Sequence, residues 1–475
     1  MNRRLLSLFH ENTTRRDFFF LVVAVIISRV PFLSLGYGSD GDAWRSAWSA
    51  RTLWSEGNYH PSRFPGFPLF EILNTPLVGS GGAFLSNSFT LLLFLLGLVV
   101  FARLLALLEV RSARSALWTF AFLPLLWKNS AVTHDYICGL LFILTSLFFL
   151  LKNKVIISGI FFGLAVGVRL THFIILIPIV YYLFSIGDRK GLLPFVLSLC
   201  GVSFLCYLPV FLRPEFAHEA NNYAFTVQRF SPTEIITFFG YRSVYSIGLL
   251  GVLSILVALL FNRKRVCKIF RSEKKVRFVL MGIMSMLLLF LFSPDEREYL
   301  IPLIPFLLIY LSLVFPVRYS MLIYICLVSY SFINIDIIEH DFRNQRIAPR
   351  ITNGFVIDDY LKRIKVLKMR EEISLYPFPD SSIVLTGMGP ILWFENDSLE
   401  YVRDGYSRFG TSEAAVFQSR KEQYIVYELS EEHRRQLQEG GYRTFYIRRM
   451  KSYIESFMHL NLDTSDFTPV EITVP

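Results

Sequence analysis

The sequence predicts a polytopic α-helical membrane protein of about eleven transmembrane helices with a small C-terminal extracytoplasmic α/β domain. Hydrophobic residues make up 53% of the 475 residues and charged residues only 18%, whereas about 25% are charged in a typical soluble domain. The apolar residues are concentrated before Asp336, in blocks such as 18–27, 91–101 and 281–292. Several blocks reach the roughly 20 residues that cross a bilayer. This length disfavours the buried helices of a soluble protein.

The predicted transmembrane domain covers residues 1–336. Its first apolar segment has no small-residue cleavage site, so we interpret that segment as a permanent span rather than a signal peptide. The predicted spans are 17–35, 84–108, 115–132, 136–151, 155–168, 171–186, 191–212, 242–261, 278–293, 299–315 and 319–336. The alternative at the fifth and sixth spans is one helix kinked around Arg169. That alternative would invert every later loop.

Lysine and arginine are clustered in alternate loops. They occur at the N-terminus and within 103–114, 152–154, 189–190 and 263–277. With eleven spans these clusters share one side, which the positive-inside rule assigns to the cytoplasm. We therefore expect a multi-pass protein of a bacterial or archaeal plasma membrane, with the N-terminus inside and the C-terminus outside. The net charge of +10 reflects this orientation, and no nucleic-acid partner is predicted because no basic stretch accompanies a soluble nucleic-acid-binding fold.

Residues 337–475 have a different character. Segments 382–386, 423–428 and 444–448 are rich in Val, Ile and Tyr and predict short strands. Residues 356–370 predict an amphipathic, basic helix. We expect a small α/β domain packed on the outer face, without disulfides because it contains no cysteine.

Carboxylates stand at the predicted outer ends of two spans, where ionisable residues are costly and so are candidates for function. Asp40 and Asp42, separated by a glycine, directly follow the first span. Such a pair can act as a general base, bind a sugar hydroxyl or hold a divalent cation. The alternative is that one of them caps the helix predicted over 43–54. Asp135 opens the fourth span and would join a cation site only if it lies near the pair; its alternative role is a favourable interaction with the helix dipole.

Other polar residues in the same loops are candidates for binding a phosphate and a sugar. They lie in the Pro-rich segment 60–68, in the segment 128–136, around residue 170 and in the segment 295–299, which carries four charges. The candidate substrate-binding residues are Arg63, Lys128, His134, Arg169, His172, Glu296, Arg297 and Tyr299. The alternatives are lipid-headgroup contacts for Arg63, snorkelling for Arg169 and a local ion-pair cluster for the segment 295–299, which we call the late loop.

The order and sidedness of these motifs resemble the GT-C superfamily, the membrane glycosyltransferases that use polyprenyl-phosphate sugars. The resemblance rests on the Asp40–Asp42 motif, the Pro-rich loop 60–68, the segment 133–136, the glycine-punctuated helix 158–167 and the segment 298–302. It is strongest to the branch of the protein mannosyltransferases and the lipid A aminoarabinose transferase. The sequence departs from the mannosyltransferases in that a glycine separates the two acidic residues of the first motif.

The resemblance implies a transferase that moves a hexose or pentose from a polyprenyl-phosphate donor to a glycan, lipid or protein acceptor of the cell envelope. The reaction would occur on the outer face and would invert the anomeric carbon. Asp40, Asp42 and Asp135 would be its catalytic residues, with one aspartate as base and the cations stabilising the departing phosphate. A divalent cation is left open as a cofactor. The three aspartates are its candidate ligands.

A different class of protein is also open, namely a multi-helix transporter or flippase of lipid-linked glycans. Transporters typically contain internal repeats and broken helices or charges near the middle of the membrane. Here the charges lie at the predicted outer ends, and the sequence shows no obvious repeat. A non-catalytic assembly or polymerase-type membrane protein is the further alternative.

Overall fold

Helices dominate the computed structural model. It describes residues 15–214, 216, 232–292, 296–339, 346–376 and 378–385 and, farther along the tail, 399–402, 416–419, 424–426, 435, 438–447 and 468–470. Asp295 of the segment 295–299 and four predicted strand ends, Thr386, Gln423, Glu428 and Arg448, lie outside the described residues.

The first part of the chain forms nine α-helices within residues 15–214. They are α1 (Arg15–Leu33), α2 (Gly41–Glu56), α3 (Pro68–Leu107), α4 (Ala113–Phe122), α5 (Pro124–Asn129), α6 (Tyr136–Leu151), α7 (Val155–Val168), α8 (Leu176–Ile186) and α9 (Leu192–Phe211). A 3₁₀ helix, Leu170–Ile175, precedes α8.

Six further α-helices lie within the described residues 232–292 and 296–329. They are α10 (Pro232–Ile247), α11 (Leu249–Phe261), α12 (Arg263–Ser272), α13 (Lys274–Phe292), α14 (Leu303–Val314) and α15 (Val317–Ser329). A 3₁₀ helix, Arg297–Leu300, joins α13 to α14. Every predicted span overlaps one or more of these helices. The last predicted span ends too late, however, because β1 (Ile333–Glu339) has already begun by residue 336.

Among the described residues, three helices are long and apolar enough to cross a membrane: Pro68–Leu107, Leu192–Phe211 and Lys274–Phe292. A fourth candidate span runs through α10 and α11, which are bent by 97°. Shorter apolar helices of 10–17 residues cover Tyr136–Leu151, Val155–Val168, Leu170–Ile186, Leu303–Val314 and Val317–Ser329. The helical, membrane-like character is thus confirmed, and the count of about eleven spans remains a prediction.

Local chemistry explains where the helices break. Gly82 takes φ +57°, ψ −143° inside α3 and so separates its first turns, residues 68–81, from the predicted span. The sequence pattern did not predict this first part as helix. Pro124 ends α4 because proline has no backbone N–H to donate to the preceding turn. The buried Arg29 donates to the carbonyl of Ala121 at this break.

Contacts between helix termini show which termini lie together at each end of the bundle. At one end, Arg114 pairs with Asp17 at 3.2 Å, and Lys274 Nζ lies 2.9 Å from the carbonyl of Ser185. These residues belong to the ends that the basic loops assign to the cytoplasm. Arg169, by contrast, contacts Asp135 at the other end. Because Arg169 and Ser185 lie at opposite ends, two antiparallel segments are favoured over one kinked helix.

Helices α7 and α9 approach closely because small residues line their interface. A Cβ built on Gly159 would lie 2.6 Å from the carbonyl oxygen of Phe195, and one on Gly163 would lie 2.9 Å from the carbonyl oxygen of Leu199. Glycine at both positions therefore lets the backbones of α7 and α9 approach more closely than a larger residue would allow.

The tail begins with an antiparallel hairpin of β1 and β2 (Arg346–Asn353), followed by α16 (Phe355–Ser374). A six-stranded sheet follows, in the order β4-β5-β6-β3-β7-β8. Its strands are β3 (Ser382–Leu385), β4 (Leu399–Val402), β5 (Val416–Ser419), β6 (Tyr424–Val426), β7 (Arg443–Ile447) and β8 (Thr468–Val470). β3 is parallel to both β6 and β7, the other two strands expected from the sequence. The domain boundary at residue 337 remains a prediction.

Candidate active site

The site is built around the start of α2. Asp40 caps this helix: its carboxylate accepts a hydrogen bond from the backbone N–H of Asp42 at 3.0 Å, and its own backbone is extended. Asp42 lies in the first turn, with 17% of its side chain exposed. The two neighbouring carboxylates therefore do different work. Asp40 is exposed and holds the helix start, whereas Asp42 points into a cluster of charges.

Arg63 connects Asp42 to the late loop. Its Nη1 contacts a carboxylate oxygen of Asp42 and lies 2.9 Å from Oε1 of Glu296, a residue 233 positions away in sequence. Arg45, one turn along α2, is a second and longer partner of Asp42 at 3.4 Å. Asp42 and Glu296 thus share one guanidinium on a half-buried surface. Either carboxylate alone can accept a bidentate or charge-assisted hydrogen bond from it.

The loop that carries Arg63 is held by a buried carboxylate of α3. Glu71 accepts hydrogen bonds from the backbone N–H of Ser62, at 3.1 Å, and from the hydroxyl of Tyr59. Ser49 of α2 donates to the carbonyl of His60. These bonds fix both sides of the loop, so that Arg63 reaches the site from a defined direction.

Asp135 and Arg169 form a closed ion pair behind this surface. Arg169 Nε lies 2.7 Å from Oδ2 of Asp135, and Nδ1 of His134 lies 2.6 Å from Oδ1. Asp135 is fully buried, and the guanidinium lies 4.0 Å from the ring centre of Tyr136. Arg169 also lies 4.0 Å from Glu296. Arg169 therefore links the two carboxylates rather than leaving Asp135 free to react.

A second cationic centre lies beside the late loop. Lys128 Nζ is 3.0 Å from Oε1 of Glu298, and Arg297 Nε is 3.6 Å from the same oxygen. Arg297 also stacks on the ring of Phe355 at 4.3 Å, and Lys128 lies 5.9 Å from that ring. Two cations thus share this carboxylate, and Asp359 and Asp40 are further negative charges that act on Lys128. Phe355 belongs to α16, so the tail contributes directly to this part of the site.

Burial and neighbouring charges separate the acids of the site by their pKa values. Burial raises the pKa of Asp42 to about 6, against the opposing effect of Arg63. Burial also disfavours ionised Glu296, but Arg63 and then Arg169 hold its pKa well below the usual range. The ionised form of Glu296 is more strongly stabilised than that of Asp42, because Arg169 and a hydrogen bond from Tyr136 also favour its charge. Asp42 is thus the carboxylate poised to exchange a proton near neutral pH.

The other two acids are held ionised. Burial opposes the charge on Asp135, but Arg169 and His134 keep its pKa well below the usual range. Burial likewise opposes the charge on Glu298, while Lys128 and then Arg297 lower its pKa to about 2. These carboxylates are suited to holding cations in place, not to accepting a proton.

Most of the predicted site residues meet at this one end of the bundle. Tyr299 joins them through its ring, 5.1 Å from the guanidinium of Arg169. Asp40 stands at the edge as a helix cap. His172 is buried, its Nδ1 donates to the carbonyl of Ala165 at 2.9 Å, and its ring packs against Gly139. Its contacts are those of a residue that joins helices.

Sequence reasoning missed several members of the site. Tyr136 directly follows Asp135 and Arg45 lies one helical turn after Asp42, so local spacing was the available signal for both. Phe67 lies under both Arg63 and Arg169, at 5.1 Å and 4.6 Å. Nothing in the local pattern indicated Glu71 or Phe355, because their contacts arise from other parts of the fold. The missed residues are Arg45, Phe67, Glu71, Tyr136 and Phe355.

The described residues do not fit a metal centre of three or more protein ligands. Within the part of the chain that the structure describes, no group of three His, Cys, Asp or Glu side chains could hold a metal ion. Arginines stand between the acids in the order Asp42, Arg63, Glu296, Arg169 and Asp135. The arrangement alternates charge, and the partly exposed Arg63 can donate hydrogen bonds to an anionic group such as a phosphate.

The described part of the chain is thus a helical bundle with an alternating cluster of acids and arginines at one end. Two solved structures are similar: ArnT from Cupriavidus metallidurans in the apo state (TM-score 0.52, 12% identity) and the same protein bound to undecaprenyl phosphate (TM-score 0.53, 11% identity). Each match covers 79% of this chain, and 83% or 84% of ArnT. No protein-family model and no curated protein matches the sequence. ArnT is an aminoarabinose transferase of the GT-C family, so the predicted resemblance is confirmed at the level of the fold.

Proposed function

We propose that this chain is a membrane glycosyltransferase that moves a hexose or pentose from a polyprenyl-phosphate donor to a hydroxyl acceptor on the outer face. The observation that carries the proposal is the half-buried bridge from Asp42 through Arg63 to Glu296. It combines a carboxylate able to take a proton with cations able to hold a phosphate. A structure of the same fold bound to undecaprenyl phosphate supports the choice of donor class.

Asp42 is the base in this mechanism. Its carboxylate takes the proton of the acceptor hydroxyl as the oxygen attacks the anomeric carbon. The bond between that carbon and the phosphate oxygen breaks, and its electron pair leaves with the polyprenyl phosphate. Because phosphate is a good leaving group, a second carboxylic acid is not needed. A single displacement of this kind inverts the anomeric carbon.

The cations stabilise the departing phosphate. Lys128 and Arg297 both contact Glu298 and supply two positive charges at one side of the site. Arg63 lies between this region and the base, where it can contact both the phosphate and Asp42. Asp135 acts indirectly by fixing the guanidinium of Arg169. In this proposal the acceptor hydroxyl binds beside Asp42, and the phosphate of the donor binds beside Lys128 and Arg297.

The test uses purified protein, a panel of polyprenyl-phosphate sugars and hydroxyl acceptors. The wild-type protein should transfer the sugar, and Asp42→Asn should lose about 10²–10⁴-fold in rate, as expected for loss of a general base. Asp40→Asn is the matched control because asparagine caps a helix as well as aspartate does. Folded wild-type protein that neither binds nor transfers any member of the panel would contradict the proposal. Flux of lipid-linked glycan in proteoliposomes under those conditions would instead favour a flippase.

A further inference from the structure

The tail helix α16 reaches into the framework under the proposed site through one buried arginine. Arg363 is fully buried, and its Nε lies 2.9 Å from Oδ2 of Asp359, one turn earlier. Its Nη1 donates to the carbonyl of Ala131 at 2.8 Å and, at 3.4 Å, to the carbonyl of Phe32. The guanidinium also lies 5.4 Å from the ring centre of Phe32. One side chain of the tail therefore joins the end of α1 to the segment after α5.

Asp359 extends this connection to the loop that carries the proposed base. One carboxylate oxygen accepts the hydrogen bond from Arg363, and the other accepts a hydrogen bond from the hydroxyl of Ser39 at 2.5 Å. Ser39 immediately precedes Asp40, the cap of α2, and Asp42 lies in the first turn of that helix. Movement of Asp359 would therefore be passed over three residues to the proposed base.

The segment bound by Arg363 also leads to the cationic side of the site. Ala131 follows Lys128 by one turn, and its N–H donates to the carbonyl of Lys128 at 3.2 Å. Two residues farther along, the N–H of Thr133 donates to the carbonyl of Tyr37 at 3.0 Å. The loop before α2 and the segment 128–135 thus hold each other, and Arg363 stands where both meet the tail.

We propose that Arg363, through Asp359 and Ser39, is a positioning residue of the tail that sets the placement of Asp42 relative to Lys128. This inference rests on the proposed function for its consequence, but not for the contacts themselves. A planar guanidinium suits the role because it donates in several fixed directions at once, which an ammonium group cannot do. Reacting groups must be held closely, since a misplacement of about 1 Å can cost about 10²-fold in rate.

The same helix offers a matched control one residue away. Lys362 pairs with Asp358 at 2.8 Å, with the same spacing of four residues as Arg363 and Asp359, but 59% and 50% of the two side chains are exposed. Lys362→Gln removes an ion pair of equal sequence spacing that contacts neither Ala131 nor Ser39. It should leave the site unchanged, because exposed ion pairs contribute little.

The experiment compares Arg363→Gln, Arg363→Lys, Ser39→Ala and Lys362→Gln in the full-length protein. Backbone hydrogen exchange of residues 36–42 and 128–135 is the readout that does not require activity. Both segments should exchange faster in Arg363→Gln, and 36–42 should do so in Ser39→Ala. Lys362→Gln should match the wild type. Ser39→Ala keeps the buried guanidinium and so tests the connection even if Arg363→Gln fails to fold.

Activity provides the second readout. Arg363→Gln should lower kcat by about 10- to 10²-fold, with a smaller change in KM, and Arg363→Lys should recover part of it. Water admitted beside Asp42 should lower its pKa, since burial is what raises it, and so shift the acidic limb of the rate profile to lower pH. A fold defect would reduce the active fraction without moving the limb. The substitution leaves in place the charged groups that face Asp42, which are Asp40, Arg45, Arg63 and Glu296.

Unchanged exchange and an unchanged pH profile in both Arg363→Gln and Ser39→Ala would overturn the positioning role. If exchange rises as expected but the wild-type protein transfers no sugar, the positioning role stands and the proposed function fails. The two inferences can therefore fail separately.

Discussion

Replacing Asp42 with asparagine removes the proposed proton acceptor while keeping the size and shape of the side chain. Arg63 then retains Glu296 as its partner, and Asp40 still caps α2. Asparagine resembles the protonated acid, which is the form that burial already favours at this position. Folding that raises a carboxyl pKa stabilises the protein at low pH and loses that contribution as the pH rises. The variant should therefore melt at the same temperature as the wild type, or higher, at pH 7.

The magnitude follows from the pKa of the base. With a pKa of about 6, Asp42 is ionised in roughly nine-tenths of the molecules at pH 7 and in roughly one-tenth at pH 5. The wild-type rate should thus fall about tenfold between pH 7 and pH 5. Asp42→Asn should lose about 10²–10⁴-fold at pH 7. Its residual rate should no longer depend on this ionisation.

Arg63→Gln provides an independent check of sign. Arg63 opposes the effect of burial and lowers the pKa of Asp42, so its removal should raise that pKa and move the acidic limb to higher pH. The substitution also removes a donor to the phosphate, which typically costs about 10²–10³-fold in rate. The two substitutions should therefore differ in pH profile as well as in rate.

The assay measures initial transfer rates of purified protein between pH 5 and pH 8, with Asp40→Asn as control. Thermal melting of each variant shows that the protein remains folded. Near wild-type transfer by Asp42→Asn would refute its role as base. An acidic limb that persists in Asp42→Asn, or that moves to lower pH in Arg63→Gln, would refute the electrostatic reasoning.

Lys128→Met should destabilise the protein by about 3–5 kcal/mol, because it removes the principal partner of the buried Glu298; adding Glu298→Gln should restore much of the loss, measured by thermal melting. Gly159→Ala should cost about 1–3 kcal/mol, since its Cβ would meet a backbone carbonyl 2.6 Å away. A Cβ added at Gly201 in α9 would have no atom within 4 Å, so Gly201→Ala should leave the stability unchanged or increase it. A reporter that functions only outside the cytoplasm should be active when fused after the last residue. Activity of a cytoplasm-only reporter there would contradict the eleven-span topology.

The sequence by itself determined the elements that depend on local composition. Apolar blocks marked most of the helices, since each stretch carries its own solvation preference. Val155–Val168 and Tyr136–Leu151 match their predicted bounds. The strands at 382–385 and 443–447 followed from runs of Val, Ile and Tyr. Motif order also indicated the GT-C type of fold, which the likeness to ArnT confirms.

The sequence also indicated which polar loops belong to one end, but not how their residues pair. Asp40 and Asp42 were equivalent candidates until the start of α2 made one a cap and placed the other against Arg63. His172 was a candidate from its position beside Arg169, yet it bonds to the carbonyl of Ala165.

Only the tertiary structure decided the contacts between distant segments. Arg63 meets Glu296 across 233 residues, and Arg363 meets Ala131 across 232. Helix and strand preferences come from neighbours along the chain, so a sequence pattern can reveal them. Ion pairs of a buried site depend on how whole helices pack. A charged side chain needs a protein partner only once burial has removed it from water, and burial is decided by the tertiary structure.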